Sequence, residues 1–319
     1  MRIAARWRAC LPFLIIPLLW WSCAKDSAPV VVDFQDIGSR ENPPSPKASP
    51  PSRKVAIGAM VSPKETFVHY RELFAYIGRK VGRPVELIQR KTYHEINQLL
   101  DRGEIDIAFI CSGPYAGKKE KYGFQVLAVP QVQNDHFYRS YLIINANKPY
   151  QRLEDLRGRV FAFTDPESNT GRLAPSFWLH QKGEKPETFF SRIIYTYSHD
   201  NSILAVGRGL VDGAAVDSLV WEYFQSTRPE LTRATRIIRK SEPFAIPPIV
   251  ASRKFPPEKS DQVRQILLAV HLENEGRQIL QGLMIDRFIT PPADWFENTE
   301  EIRKRTLLLK ENPHASKKP

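Results

Sequence analysis

The chain alternates short apolar runs with longer stretches in which apolar residues recur every three or four positions. The first apolar run extends from Val55 to Met60. Residues Ser62 to Glu65 follow it with a capping hydroxyl, a proline and an acid, the order that begins a helix. This pattern predicts a strand followed by an amphipathic helix. The core-facing side chains of that helix are predicted to be Phe67, Tyr70, Leu73, Phe74 and Ile77.

The same strand-and-helix unit recurs along the chain. Thr92 and Glu95 form a second capping box ahead of a helix, and Ser112 opens a third helix. A second series of units follows the extended run from Tyr141 to Asn145. Strands that alternate with helices predict an α/β fold with largely parallel sheets. The remaining strands are predicted at 85–88, 105–110, 125–130, 160–164, 192–197, 213–216 and 247–252.

Two series of units separated by one extended segment favour two lobes over a single large sheet. The strand from Pro247 to Ser252 is expected to return to the first lobe. The two crossing segments, near 139–142 and 243–246, are expected to act as a hinge between the lobes. The predicted boundaries are 54–140 together with 245–310 for the first lobe, 141–244 for the second lobe and 311–319 for a tail.

The N-terminus has the profile of an export signal. Three arginines precede an apolar run from Leu11 to Trp21, which is about half as long as a helix needs to cross a bilayer. Residues 1–22 are therefore predicted to be a signal peptide. The run ends at a segment that resembles the processing box of bacterial lipoproteins, so Cys23 is the expected site of lipidation. An ordinary cleaved signal is the alternative, because Trp20 stands where that box usually has leucine.

Composition and charge narrow the class of protein. With 42% hydrophobic residues the chain can build cores, which excludes a disordered protein. Residues 23–53 are polar and rich in proline, which predicts a semi-extended tether. The formal charge is +11, so the surface is basic and is expected to attract anions. An exported protein does not meet nucleic acid, so membrane headgroups or anionic solutes are better candidates for the partner than nucleic acid. Cys111 is the only thiol of the predicted folded part and is expected to be a buried core residue.

One junction between a strand and a helix offers chemistry beyond a helix cap. Ligands of α/β lobes bind outside the carboxyl ends of strands, where the following helices begin. The segment from Asp165 to Gly171 presents Ser168, Asn169 and Thr170 as successive side-chain donors, and its closing glycine permits close approach of the backbone. Such a turn can surround a tetrahedral oxyanion. Ser62 stands at another such junction, where a hydroxyl is more often a simple helix cap.

These motifs resemble the phosphate-, phosphite- and phosphonate-binding proteins of ABC importers, the PhnD-like family. The resemblance covers roughly residues 54–288 and implies the two-lobed type II periplasmic binding protein fold. The loop that contains Ser168 is the most specific of the shared features. The matching stretches are Gly103–Ile110, Gly113–Ala116, Leu153–Gly158, Asp165–Gly171, Ser198–Ser202 and Gly209–Asp217.

The resemblance implies that the turn 168–170 holds the phosphoryl end of the ligand. The chain departs from the family at Asn169, where a hydroxyl residue is common. An amide can still donate a hydrogen bond there, but the preferred anion stays open. The candidate ligand-binding residues are Ser168, Asn169, Thr170, Tyr115, His199, Asp217 and Ser62.

Three of these candidates have ordinary alternatives. Tyr115 and His199 are implied to close the pocket, and Asp217 occupies a position type that can face a ligand amino group. Tyr115 can instead pack between the lobes, His199 can be a surface residue of a first helical turn, and Asp217 can cap the next helix. The imidazole of His199 is expected to be neutral because a helix N-terminus disfavours imidazolium, although a bound dianion would reverse that preference.

The sequence offers no catalytic motif. It lacks the P-loop, zinc-protease and nucleophile-elbow patterns, and its seven histidines assemble no zinc ligand set. No cofactor, metal or catalytic residue is therefore predicted. The leading hypothesis is an extracytoplasmic lipoprotein that closes on a phosphate-like oxyanion and hands it to an ABC permease. The alternatives are a ligand-sensing lipoprotein that signals to a membrane partner such as a histidine kinase, and an exported hydrolase of phosphate esters.

Overall fold

The computed structural model describes residues 52–58, 63–292 and 294–311. The predicted signal peptide, Cys23, the predicted tether and Ser62 lie outside these residues. Among the described residues, every helix is too short or too polar to cross a membrane.

The strands are β1 (Arg53–Ile57), β2 (Val85–Ile88), β3 (Ile107–Phe109), β4 (Gln125–Gln131), β5 (Phe137–Tyr138), β6 (Ser140–Asn145), β7 (Val160–Phe163), β8 (Arg192–Tyr195), β9 (Gly213–Asp217), β10 (Thr235–Lys240), β11 (Phe244–Ala245), β12 (Ile249–Ala251) and β13 (Arg287–Ile289). The α-helices are α1 (Pro63–Lys80), α2 (Tyr93–Arg102), α3 (Ser112–Tyr122), α4 (Ala174–His180), α5 (Pro186–Phe189), α6 (His199–Gly207), α7 (Ser218–Thr227), α8 (Pro229–Thr232), α9 (Pro257–Ala269), α10 (Asn274–Gly282) and α11 (Glu297–Glu311).

Six strands form the first sheet, in the order β13-β4-β12-β3-β1-β2. β1 is parallel to both β2 and β3, as strands joined by crossover helices must be. β12 runs antiparallel to β3 and β4 because the chain has left this sheet and re-enters it from the opposite direction. We call this sheet and the helices packed on it the first lobe.

Five strands form the second sheet, in the order β10-β6-β9-β7-β8. β7 is parallel to β8 and β9, whereas β6 is antiparallel to β9 and β10. We call this sheet and its helices the second lobe. The prediction of largely parallel sheets is wrong, because the strand by which the chain enters each lobe from the other runs against its neighbours.

The chain passes between the lobes twice, and the two crossing segments pair with each other. Phe244 lies opposite Tyr138 and Ala245 lies opposite Phe137 in a two-stranded antiparallel ribbon formed by β5 and β11. The first crossing contains β5 and is followed directly by β6, which begins at Ser140, and the second crossing contains β11. That these crossings act as a hinge, as the sequence predicts for 139–142 and 243–246, stays a prediction.

The core of the first lobe contains most of the predicted stripe of α1. Leu73, Phe74 and Ile77 are buried there, and Cys111 is buried in the same cluster, as expected for a core thiol. Tyr70 is only half-buried and lies at the edge of this cluster. The side chain of Phe67 lies outside the described part of the structure.

Helix α11 lies across both lobes. Glu300 forms an ion pair with Lys119 of the first lobe, with 3.4 Å between carboxylate oxygen and amine. Ile302 is buried in the core of the second lobe, and the Arg305 guanidinium lies 5.1 Å from the centre of the Phe177 ring. The helix therefore joins the two lobes at a place other than the crossing ribbon.

The capping box that the sequence predicts at α2 is confirmed. The Thr92 hydroxyl accepts a hydrogen bond from the backbone N–H of Glu95 at 3.2 Å, and the Glu95 carboxylate accepts one from the backbone N–H of Thr92 at 2.9 Å. Gly103, in the left-handed conformation with φ of 69°, ends the same helix.

We expect Thr92→Ala to lower the free energy of unfolding by about 1 kcal/mol, because the substitution leaves a first-turn N–H without its side-chain acceptor. Urea denaturation measures this change. Thr290→Ala, at an exposed position outside the regular elements, is the matched control and should have little effect. Equal stability of the two variants would contradict the structural role of the box.

Candidate functional site

The turn between β7 and α4 carries the predicted oxyanion donors. Ser168, Asn169 and Thr170 are each no more than 1% exposed. The Ser168 hydroxyl accepts a hydrogen bond from the backbone N–H of Gly171 at 3.0 Å, so it caps the single π-helical turn that precedes α4. A Cβ atom on Gly171 would come within 2.6 Å of the Thr164 Cβ atom, which explains the glycine at this position.

The turn lies between the lobes and not on an outer face. A Cβ atom on Gly113, in the first turn of α3, would stand 3.0 Å from the backbone nitrogen of Asn169. The Asn169 amide donates to the Tyr138 hydroxyl at 3.2 Å, and that hydroxyl lies 2.6 Å from the hydroxyl of Ser112. The second lobe therefore presents its donor turn directly to the N-terminal end of a first-lobe helix.

Four buried titratable groups surround this contact. Burial is the main cause that raises the pKa of each: to about 12 for Cys111, to about 7 for Asp217, and well above the usual value for Tyr93 and Tyr138. The negative charge that Asp217 carries when ionised further raises the pKa of the other three groups. The two phenols and the thiol are therefore neutral, and they lie close enough together to influence one another.

Several polar atoms of this region are buried without a hydrogen-bond partner among the described residues. They are the Tyr93 hydroxyl, the Ser198 hydroxyl and the side-chain oxygen of Asn169. The Asn169 amide can present either its oxygen or its NH₂ group here, since the Tyr138 hydroxyl can accept or donate. Buried polar groups in native proteins nearly always have partners, so these three atoms are available to hydrogen-bond a polar ligand.

His199 lies at the start of α6 and is buried. Its Nδ1 accepts a hydrogen bond from the backbone N–H of Asp217 at 3.0 Å, and the Thr164 hydroxyl lies 3.1 Å from the same nitrogen. Burial lowers the pKa of the imidazole to about 3. The ring is therefore neutral, as predicted, and the cause is burial. Because Nδ1 is the acceptor, Nε2 carries the proton and can donate a hydrogen bond to a ligand.

Asp217 is both a helix cap and a wall of a cleft. Its carboxylate accepts hydrogen bonds from the backbone N–H groups of Leu219 at 2.8 Å and Val220 at 3.4 Å, which caps α7. The same residue lines a cleft between the lobes, together with Tyr70. Tyr70 therefore contributes to this cleft as well as to the core, a role the predicted core stripe did not include.

The remaining predicted site residues lie elsewhere or outside the structure. The Tyr115 ring packs edge-on against Phe296, with 4.5 Å between ring centres, in a cluster that includes Ala116 and Val129. The ring therefore packs within this cluster, and a role of Tyr115 in closing the pocket stays a prediction. Ser62 lies outside the described residues.

Sequence reasoning missed Tyr93, Tyr138 and Thr164. Tyr93 directly follows the cap of α2, at the carboxyl end of a strand, and this position was a usable signal. Tyr138 lies in a crossing strand, where nothing in the local sequence indicates which way the hydroxyl faces. Thr164 touches His199 only because β7 and β9 are neighbours in the second sheet.

An ionic cluster joins the lobes beside the donor turn. Glu167, one residue before Ser168, forms an ion pair with Lys118 of α3. It also accepts hydrogen bonds from the amide of Asn97 at 3.1 Å, and His94 Nδ1 lies 3.0 Å from the same carboxylate. Burial acts to raise the pKa of Glu167, but these partners together hold it below its usual value. Three first-lobe side chains thus hold one second-lobe carboxylate.

Within the described residues, no three histidine, cysteine, aspartate or glutamate side chains are grouped closely enough to hold a metal ion. The cleft that Asp217 lines presents two carboxyl groups in its described lining, those of Asp217 and Glu222, among mostly apolar side chains.

Comparison with known proteins places this geometry in a family. Residues 55–296 match the family model described as "ABC transporter, phosphonate, periplasmic substrate-binding protein". A curated relative, the probable ABC transporter phosphite binding protein PhnD1 of Prochlorococcus marinus (strain MIT 9301), is 23% identical over 191 residues, which are 56% of this chain and 64% of that protein. The chain therefore spans less than two thirds of the length of this relative.

Solved structures share the fold. A binding protein component of an ABC phosphonate transporter from Pseudomonas aeruginosa aligns with a TM-score of 0.78 and 21% identity over 83% of this chain and 89% of that one. PhnD1 from Prochlorococcus marinus in complex with methylphosphonate aligns with a TM-score of 0.71 and 19% identity over 80% of this chain and 97% of that one.

The opposite pKa shifts of Asp217 and His199 have a consequence for stability. The pKa of Asp217 is 3.8 in the unfolded chain and about 7 in the folded protein, because burial raises it. Its contribution to the free energy of unfolding therefore falls as the pH rises between those values. His199 titrates near 6.5 in water but near 3 when folded, so its contribution rises with pH over that interval. The two contributions oppose each other between about pH 4 and pH 6.5.

We therefore expect Asp217→Asn to make stability fall more steeply on acidification, because only the His199 contribution remains. The added slope should approach one proton, about 1.4 kcal/mol per pH unit. Urea unfolding between pH 4 and pH 6.5 measures it, and asparagine retains the ability to cap α7. Asp261→Asn, at an exposed carboxylate, is the control. Equal slopes in both variants would contradict the assignment.

We expect Glu167→Gln to loosen the contact between the lobes and to expose Cys111, whose sulfur accepts a hydrogen bond from the backbone of Asn169. The rate of alkylation at Cys111, followed by peptide mass mapping, should rise several-fold. Glu184→Gln breaks an ion pair with Arg157 inside the second lobe and is the matched control. If both variants react at the parent rate, Glu167 does not hold the lobes together.

Proposed function

This chain belongs to the family of periplasmic phosphonate substrate-binding proteins of ABC transporters, and we propose that it captures a phosphate-like oxyanion for import. Its fold is that of type II periplasmic binding proteins. The family binds solutes and does not transform them, so the chain is not an enzyme. The proposed ligand is a phosphonate, phosphite or phosphate, and the proposed partner is an ABC permease in the membrane.

Buried hydroxyls without hydrogen-bond partners carry this proposal. Tyr93 and Ser198 have no hydrogen-bond partner among the described residues, although both are buried. A tetrahedral oxyanion supplies acceptors in several directions at once, which suits donors that converge from different elements. A phosphite binding protein among the relatives, and a related structure in complex with methylphosphonate, support the same class of ligand.

The donors proposed for the oxyanion come from three elements. The Ser168 hydroxyl uses an oxygen lone pair to cap the turn, which leaves its hydrogen to donate to the ligand. The Thr170 hydroxyl and backbone N–H follow in the same turn. His199 Nε2 adds a neutral donor from α6, and Tyr93 adds a phenol from the first lobe. A ligand held this way contacts both lobes and favours their closure.

Asp217 fits this site in its protonated form. With a pKa raised by burial to about 7, the carboxyl group is readily protonated near neutral pH. A nearby bound anion would raise that pKa further, because two negative charges repel each other in a buried place. The protonated group is then a donor and not an obstacle to the anion.

Export and anchoring complete the proposal. The predicted signal peptide would direct export, and after its removal the lipid on Cys23 would hold the folded body at the outer face of a membrane, where the permease is located. These residues precede the described part of the structure.

We expect Tyr93→Phe to weaken the binding of both phosphate and methylphosphonate at least tenfold, because it removes a donor to the oxyanion. The free energy of unfolding of the ligand-free protein should stay the same or rise by up to about 1 kcal/mol, since a buried unpaired hydroxyl is lost. Calorimetric titration and urea denaturation measure the two effects.

Tyr150→Phe is the control, because that hydroxyl bonds to Asp212 within the second lobe at 3.1 Å. It should leave oxyanion affinity unchanged. Unchanged affinity in Tyr93→Phe would remove this phenol from the site, and the absence of any oxyanion binding by the parent protein would refute the proposed function.

A further inference from the structure

A cavity of about 210 Å³ lies within the first lobe, between the first sheet, α1 and α9. Its lining includes Arg53, Val85 and Ile107, which are the first residues of the parallel strands β1, β2 and β3. Tyr93 and Ser112 follow the opposite, carboxyl ends of β2 and β3. The cavity is therefore at the other end of the sheet from the donors proposed for the oxyanion, and we call it the basal cavity.

The walls of the basal cavity are apolar. Six of its side chains belong to the core of the first lobe and are no more than 4% exposed: Val55, Phe74, Ile77, Ile107, Phe255 and Val263. An apolar cavity of about 150 Å³ in another protein stays free of water and binds benzene. The basal cavity is larger than that, so it can hold an aromatic ring or a short alkyl chain.

Three cationic side chains, those of Arg53, Arg83 and Lys259, line the same cavity, and its described lining contains no carboxylate. The Arg53 guanidinium lies 5.2 Å from the centre of the Phe255 ring and forms an ion pair with Asp106 at 3.8 Å. Arg83 and Lys259 have no ion-pair partner among the residues that the structure describes. Two uncompensated cations beside an apolar space favour a ligand that is anionic at one end and apolar at the other.

We propose that the basal cavity binds a small amphiphilic anion, a medium-chain carboxylate such as octanoate. The alkyl chain occupies the space between the sheet, α1 and α9, and the carboxylate pairs with Arg83 and Lys259. Removal of the alkyl chain from water supplies the driving force, and the two cations select an anion. Phosphate has no apolar part to bury, so this ligand differs from the one proposed for the 168–170 turn.

A matched set of ligands tests both halves of the proposal by calorimetric titration of the whole chain. Each buried methylene group should tighten binding about fourfold, so octanoate should bind at least tenfold more tightly than butanoate. Octylammonium has the same number of carbon atoms and the opposite charge, and it should bind at least tenfold more weakly than octanoate. Equal affinity within either pair overturns the proposal.

Variants place the ligand in the basal cavity. Arg83→Gln combined with Lys259→Gln should weaken octanoate binding at least tenfold. Arg208→Gln combined with Lys185→Gln removes the same two charges at exposed positions of the second lobe and should leave it unchanged. Unchanged octanoate affinity in the first pair of substitutions overturns the proposal.

Filling the cavity gives a second arm that does not depend on charge. Val263→Phe adds a ring to the wall that α9 contributes, and it should also weaken octanoate binding at least tenfold. The new ring occupies existing space, so urea denaturation should show a folded protein of at least the parent stability. Octanoate binding at the parent affinity by this folded variant contradicts the assignment.

Two further titrations exclude other sites and sources. Dioctanoylphosphatidylglycerol offers the same chains on a phospholipid, and binding tighter than that of octanoate would replace the free acid with a lipid and overturn the proposal. Saturating octanoate should leave the affinity for phosphate unchanged, and competition between them would move octanoate out of the basal cavity. If the parent binds octanoate but no oxyanion, the proposed function fails and this inference stands.

Discussion

The close approach of the 168–170 turn to Gly113 is the contact on which the rest of the site depends. Glycine at this position of α3 allows this close approach, because a Cβ atom would stand only 3.0 Å from the backbone nitrogen of Asn169. The turn belongs to the second lobe and Gly113 to the first, so the buried donors are enclosed only when the lobes meet. In the proposed function, ligand binding and lobe closure are one event, since neither lobe alone encloses the proposed site.

Neutral hydrogen-bond donors suit a buried site that must bind a ligand and release it again. An unpaired lysine or arginine in such a buried place would be costly to desolvate without a ligand. Hydroxyls, an imidazole N–H and backbone N–H groups avoid that cost and still donate to an anion. Charge is used instead outside the buried site: Glu167 meets Lys118 beside the turn, where both side chains are about 20% exposed. The proposed anion site is therefore separate from the ionic contact between the lobes.

Local features of the fold were readable from the sequence because their causes are local. The capping box of Thr92 and Glu95, the first-turn proline of α1 and the glycine after the 168–170 turn depend on residues within a few positions of one another. The direction of strands was less readable. β12 and β6 run against their neighbours because of the route the chain takes between lobes, a property of no single segment. Tyr70 shows the same difficulty. Its position in the helical repeat of α1 indicates a core residue, but in the structure it also lines the cleft between the lobes.

The sequence by itself determined the α/β class and the place of the 168–170 turn at a strand end, and it predicted an oxyanion as the ligand of that turn. Only the tertiary structure decided which side chains share the site. Tyr93, Tyr138 and Asn169 are far apart in the chain and belong to three different elements, and they meet because two lobes close on each other. It also decided the protonation of Asp217 and His199, since burial is the physical cause of both pKa shifts and burial is a property of the assembled fold.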